Sequence, residues 1–181
     1  MFDWVKHAVG ETSQIQAHFQ IQRPTVRVRD PNGTAIIETV ESDVPDLIAV
    51  AATLEASSTV QKGATLQARF RRGQPFPGQP SLWWTINGEK GEIRLTSPVG
   101  TALHAAGADS AKIELHDFET DEVEQVEWAW ADWQEGLPPI ARSVGAAYEA
   151  LADGKVGVYP TFEDALALHE QLESTIAPFY A

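Results

Sequence analysis

Residues 83–95, Trp-Trp-Thr-Ile-Asn-Gly-Glu-Lys-Gly-Glu-Ile-Arg-Leu, set apolar positions on both sides of a short polar turn that carries Gly88 and Gly91. Such a stretch has one simple solution: strand, tight turn, antiparallel strand. Glycine reaches positive φ without a Cβ penalty, so both glycines are expected to serve the turn in that way. On the return, Glu92, Arg94 and Thr96 alternate with Ile93 and Leu95, the pattern of a half-buried strand. A chain with this hairpin near its middle must build a sheet around it.

Other segments supply that sheet. Residues 13–22 alternate, with Ile15, Ala17, Phe19 and Ile21 on one face and Gln14, Gln16, His18, Gln20 and Gln22 on the other. The polar face is either solvated or a subunit interface. Residues 23–43 form an excursion marked by Pro24 and by Asp30-Pro31-Asn32-Gly33, with a short edge strand expected over 25–29. Arg23, Arg27 and Arg29 read first as a solvated basic loop and second as an anion contact. Residues 46–55 and 59–71 read as two further strands joined by Ala56-Ser57-Ser58, with Leu66, Ala68 and Phe70 facing inward. The loop 72–80, rich in proline and glycine, cannot continue the ladder. Arg71 and Arg72 at its base, Phe76 in its middle and Trp84 in the hairpin are the candidate substrate-pocket residues.

After the hairpin, residues 101–105, 111–116 and 122–130 read as short strands. The carboxylates at Asp117, Glu119, Asp121, Glu122, Glu124 and Glu127, near His116, raise a metal site. Ligands spread along one exposed strand do not converge on a point, so a solvated acidic edge is the simpler reading. Trp128, Trp130 and Trp133 cover a sheet edge or, less simply, offer an aromatic platform to a sugar. Two helices close the chain. Pro138 and Pro139 open the first, whose apolar positions are Ile140, Val144, Ala147, Tyr148 and Leu151, and Gly154 stops it. Thr161-Phe162-Glu163-Asp164 starts the second, with Phe162, Ala165, Leu166, His169, Leu172 and Ile176 as its expected buried stripe. A short helix over 2–9 with Gly10 as its cap begins the sequence, as though inside an element with something before it.

Composition narrows the function. With 26 acidic against 13 basic residues the net charge is −13, which opposes direct binding to DNA or to an anionic membrane. The absence of cysteine removes disulfides, thiolate metal sites and a cysteine nucleophile. No apolar run approaches the roughly 20 residues of a membrane span, and no signal peptide is recognisable. A cytoplasmic protein is expected. The 181 residues suffice for a single domain with its own core. No glycine-rich dinucleotide loop, phosphate loop, nucleophile elbow or H-E-x-x-H motif is present.

Three places resemble the C-terminal domain of the Gfo/Idh/MocA group of nicotinamide-dependent oxidoreductases. Ile86-Asn87-Gly88-Glu89-Lys90-Gly91-Glu92-Ile93 is similar to the family's hairpin motif. Tyr148-Glu149-Ala150-Leu151-Ala152-Asp153-Gly154 is similar to its late helix end, and Tyr159-Pro160-Thr161-Phe162-Glu163-Asp164-Ala165 to the start of its last helix. Asp43-Val44-Pro45-Asp46 and Arg71-Arg72-Gly73 look like the branch of the fungal galactose-regulon repressor. The resemblance covers nearly the whole chain and implies an α+β fold, a large, mostly antiparallel open sheet with helices packed on one face.

The family's Rossmann domain and its lysine-bearing motif are absent from residues 1–181, and Asp3 alone matches the end of its histidine motif. The resemblance therefore implies a single substrate-binding and dimerisation domain of an NAD(P)-dependent sugar or polyol oxidoreductase. It would have no catalytic, cofactor-binding or metal residue of its own and would be inactive alone, with NAD or NADP held in a full-length parent. A homo-oligomer through the sheet face and a sugar-like ligand are the expected partners. The alternative is a repressor-like, protein-binding regulatory domain, for which a nuclear location also fits. A third reading is a stand-alone oligomerisation domain that pairs through the glutamine-rich face.

Overall fold

The structure, a computed structural model, describes residues 2–100, 103 and 110–181. The chain folds as two compact units, Met1–Gly73 with Phe162–Ala181, and Gln74–Thr161. Every described ladder is antiparallel and open, and helices accompany the sheets, so the fold is α+β. The strand expected over 101–105 falls largely outside the described residues.

The first unit opens with α1 (Phe2–Val9), closed by Gly10 at φ 88°, whose N–H donates to the Lys6 carbonyl at 2.7 Å. Its sheet has the order β1 (Thr12–Gln20), β4 (Leu47–Leu54), β5 (Thr65–Arg71). A separate ladder pairs β2 (Thr25–Arg29) with β3 (Ile36–Glu41). The turn between those two forms because the Asp30 carboxylate accepts from the N–H groups of Thr34 and Ala35 and from the Thr34 hydroxyl. Those donors hold the Asp30 carboxyl below its usual pKa, Ala35 contributing most. The strand over 25–29 is thus as expected, whereas β3, lying within the presumed loop, was not.

Register sets the faces. Ala17–Val50–Ala68 and Phe19–Ile48–Phe70 form cross-strand rows on one side. Helix α4 (Phe162–Tyr180) lies on that side: Phe179 meets Phe19 with ring centroids 5.8 Å apart, and Gln171 donates to the Thr12 carbonyl at 3.2 Å. A cleft of about 650 Å³ remains between this helix and the sheet. The stripe read in the sequence holds in the later turns and fails at the start. His169, Leu172 and Ile176 line that cleft beside Leu168 and Thr175, while Phe162 and Leu166 are exposed. The anchors at Gln171 and Phe179 hold the far end of the helix to the sheet, and a hydrophobic count over the first turns cannot see them.

Two strand boundaries also differ. β1 ends at Gln20 because Ile21 and Gln22 leave the ladder, the Gln22 N–H going instead to the Asp46 side chain. β5 begins at Thr65, so the connection after β4 runs over 55–64, where the Ser57 hydroxyl accepts from the N–H groups of Thr59 and Val60.

The second unit holds the sheet β6 (Leu82–Asn87), β7 (Gly91–Ser97), β8 (Lys112–Asp117), β9 (Glu122–Gln125) in that order. The opening hairpin is β6–β7, paired from Leu82 opposite Ser97 to Asn87 opposite Glu92. Neither Gly88 nor Gly91 adopts positive φ, contrary to the expectation. Gly91 is required for proximity instead: a Cβ there would collide with the His116 carbonyl oxygen on β8. β9 stops at Gln125, short of the expected 130, and lies at the edge of the ladder with Glu122 and Glu124 exposed. Helices α2 (Asp132–Glu135) and α3 (Pro139–Ala152) follow. Gly145 leaves room for the Trp133 ring: a Cβ at Gly145 would stand 3.0 Å from it.

Candidate interaction surface

The sheet face of the first unit opposite α4 is built from the alternate strand positions. Its rows are Gln16–Ala51–Gln67, His18–Ala49–Arg69 and Gln20–Leu47–Arg71. All of these except Leu47 are exposed. Small alanines in the central strand between longer side chains on its neighbours make a shallow trough of about 450 Å³. No strand position on this face carries a carboxylate, although the whole chain has net charge −13. Near its start, β1 carries a bulge between Ser13 and Gln16, with Gln14 at φ 51° and its side-chain oxygen accepting from the Thr53 hydroxyl at 3.3 Å.

One end of the same sheet is tied by Asp46, only 8% exposed. Its Oδ1 accepts from the Gln22 N–H at 2.6 Å and its Oδ2 from Arg23 Nε at 2.7 Å. Arg23 Nη2 donates to the Arg72 carbonyl, and the Arg72 N–H donates to the Asp46 carbonyl at 2.8 Å. The Arg23 hydrogen bond, followed by the Gln22 N–H, holds the Asp46 carboxyl below the usual range. Arg23 is therefore a structural tie, and Arg29 donates to the Gly33 carbonyl at 3.1 Å. Asp46 entered the sequence reading as the start of a strand and as part of a family motif, not as a tie. The signal that marks it is a carboxylate placed directly before a strand, behind a proline.

The four pocket candidates divide between the units. Arg71 closes β5 on the trough face, in the row of Leu47 and Gln20, and the Arg72 backbone belongs to the Asp46 tie. In the second unit, Phe76 is 74% exposed and Trp84 is half-buried opposite Leu95.

Elsewhere in the second unit, His116 Nε2 lies 2.9 Å from Asp121 Oδ1, and the His116 ring meets Phe118 edge-on. Among the described residues no group of three or more histidine and carboxylate side chains gathers as metal ligands do. Another polar feature is the Arg94 guanidinium over the Trp83 ring at 5.0 Å, with Glu114 at 3.9 Å. The apolar positions of α3 at Ile140, Val144, Tyr148 and Leu151 are exposed, while its small face packs on Trp133.

Residues 1–97 match the family model described as Gal80p, C-terminal domain. The chain belongs to the Gal80p C-terminal-domain family. This agrees with the galactose-repressor branch indicated by Asp43-Val44-Pro45-Asp46 and Arg71-Arg72-Gly73. Solved structures agree on the fold. A super-repressor mutant of Gal80p from Saccharomyces cerevisiae is similar with a TM-score of 0.70 at 19% identity, over 97% of this chain and 45% of that one. The transcriptional regulator Gal80p from Kluyveromyces lactis is similar with a TM-score of 0.69 at 18% identity, over 97% of this chain and 41% of that one. This member of the family thus spans less than half the length of each. No curated protein matches the sequence. Among the described residues no helix is long and apolar enough to cross a membrane.

Proposed function

We propose that this chain is a binding and dimerisation domain of the Gal80p type, which acts by presenting surfaces to protein partners and to a second copy of itself. One observation carries the reading: the exposed trough of Ala49 and Ala51 between the ridges Gln16–His18 and Gln67–Arg69. Two sheets stack at about 10 Å, and the trough of one copy can face the trough of the other with the ridges meeting on either side. A two-fold axis along β4 sets β5 of one copy over β1 of its partner. Arg69 and Arg71 then meet His18 and Gln20 rather than each other. The lack of carboxylates on this face spares the pairing the repulsion that the rest of an acidic chain would bring. The exposed apolar stripe of α3 supports the same reading, since contiguous apolar surface marks interaction sites. A cytoplasmic location fits, or a nuclear one for a regulator.

The second reading is the substrate-binding half of a sugar or polyol oxidoreductase. In it, hydride transfer falls to a cofactor half outside residues 1–181 that holds NAD or NADP. It is favoured by Phe76, which stands out from the loop after the Asp46 tie and is free to cover a ligand. Sedimentation separates the two features: self-association through the trough is expected to be lost on changing Ala51 and kept on changing Phe76. A monomer at high concentration overturns the dimerisation claim.

A further inference from the structure

A recess of about 340 Å³ opens in the second unit between β8 and the segment that follows β9. Val126 holds that segment beside β8, its N–H donating to the Ile113 carbonyl at 2.8 Å. Beyond this bond the chain leaves the ladder, and Trp128 and Trp130 line the recess. Their rings meet edge to face at 78° with centroids 5.5 Å apart, which fixes the two indoles against each other. The Arg142 guanidinium lies 5.6 Å from the Trp130 ring and restrains it, while Trp128 is 39% exposed. The rest of the lining includes Lys112, Gln125, Glu127 and Glu135. Gln125 Nε2 donates to Glu127 Oε1 at 3.2 Å, which orients that carboxylate.

We propose that this recess binds an uncharged sugar, one or two pyranose rings in size. A pyranose presents a face of C–H groups and a rim of hydroxyls. The electron-rich face of an indole attracts the C–H face. The rim meets an ammonium with three donors, two carboxylates that only accept, and an amide that does both. The volume lies at the small end of ligand sites, which run from about 300 to 1,000 Å³. Two carboxylates against one ammonium disfavour uronates and sugar phosphates. Lys112 in the lining, and the Arg142 cation already on Trp130, disfavour a cationic guest. The recess lies in a different unit from the trough, so this inference does not rest on the assembly reading. It also places a sugar away from Arg71, Arg72, Phe76 and Trp84.

The test is titration of the full chain with D-glucose, D-galactose, maltose and tetramethylammonium, followed by tryptophan fluorescence and saturation-transfer NMR. Saturable binding of a sugar with Kd near about 1 mM is expected. Trp128→Ala should weaken it by about tenfold or more. Glu127→Gln, which preserves shape and guards against a folding defect in the first variant, should weaken it several-fold with an unchanged circular dichroism spectrum. No saturable response at tens of millimolar sugar overturns the proposal. So does binding that survives both variants but is lost in Arg71→Ala, which would move the sugar to the loop after β5. Tighter binding of tetramethylammonium than of any sugar overturns it as well.

Discussion

Gly91 on β7 faces the main-chain carbonyl of His116 on β8 so closely that a methyl group at Gly91 would overlap the oxygen. Both residues sit in inner strands of the four-stranded ladder, where neither backbone can retreat without breaking pairs on its other side. Gly91→Ala is therefore expected to destabilise the protein by about 1–3 kcal/mol. Gly88→Ala is the control, because its Cβ would stand 3.3 Å from the Gly91 carbonyl oxygen at the hairpin tip, where a small shift relieves it. Chemical denaturation of both variants checks the pair, and an equal loss in the two would contradict the close-approach account.

Gln14 occupies the left-handed region at φ 51° in the bulge of β1, a conformation that side-chain-bearing residues adopt at a cost. Its compensating bond from the Thr53 hydroxyl is exposed and, at 3.3 Å, long. Gln14→Gly should stabilise the protein by about 0.5–1 kcal/mol, read as a rise in Tm of about 1–4 °C for a chain of this size. A fall in Tm would mean that the Thr53 bond outweighs the backbone strain.

Acid should loosen the tie between β1, β4 and the loop after β5. The Asp46 carboxyl is held below its ordinary value of 3.8, chiefly by Arg23 and then by the Gln22 N–H. A depressed folded-state pKa contributes stability that is fully present above the unfolded value and is lost as the pH falls through the folded one. Thermal melts should therefore drop as the pH is lowered below about 4. The main-chain N–H groups around Asp30 and Asp117 act in the same direction, so the drop is shared among three carboxyls. Asp46→Asn should flatten the drop in part. An unchanged slope would show that the Arg23 contact is not formed in solution.

Local alternation was enough to place most of the strands, β3 excepted, because a sheet position needs only its immediate neighbours in sequence to declare its face. Leu66, Ala68 and Phe70 face α4 as their period requires, and the β6–β7 hairpin falls where Trp83 and Leu95 bracket it. What sequence could not declare were choices made by distant partners. Which turns of α4 meet the sheet depends on Phe19 and Thr12, far away along the chain, so Phe162 and Leu166 looked like core and are exposed. The reason for Gly91 lies on another strand. The Asp46 tie joins three segments that no periodicity connects. For the surface, the polar ridge of β1 was legible from its glutamines. The trough was not, since it appears only once the register sets Ala49 and Ala51 between the two ridges.

The central claim is that this trough joins two copies of the chain. Sedimentation velocity on the wild-type protein and on Ala51→Arg tests it most directly, with circular dichroism to confirm that the exposed substitution leaves the fold intact. The account predicts a wild-type dimer and a folded Ala51→Arg monomer. A wild-type monomer, or a dimer that Ala51→Arg leaves undisturbed, would contradict it.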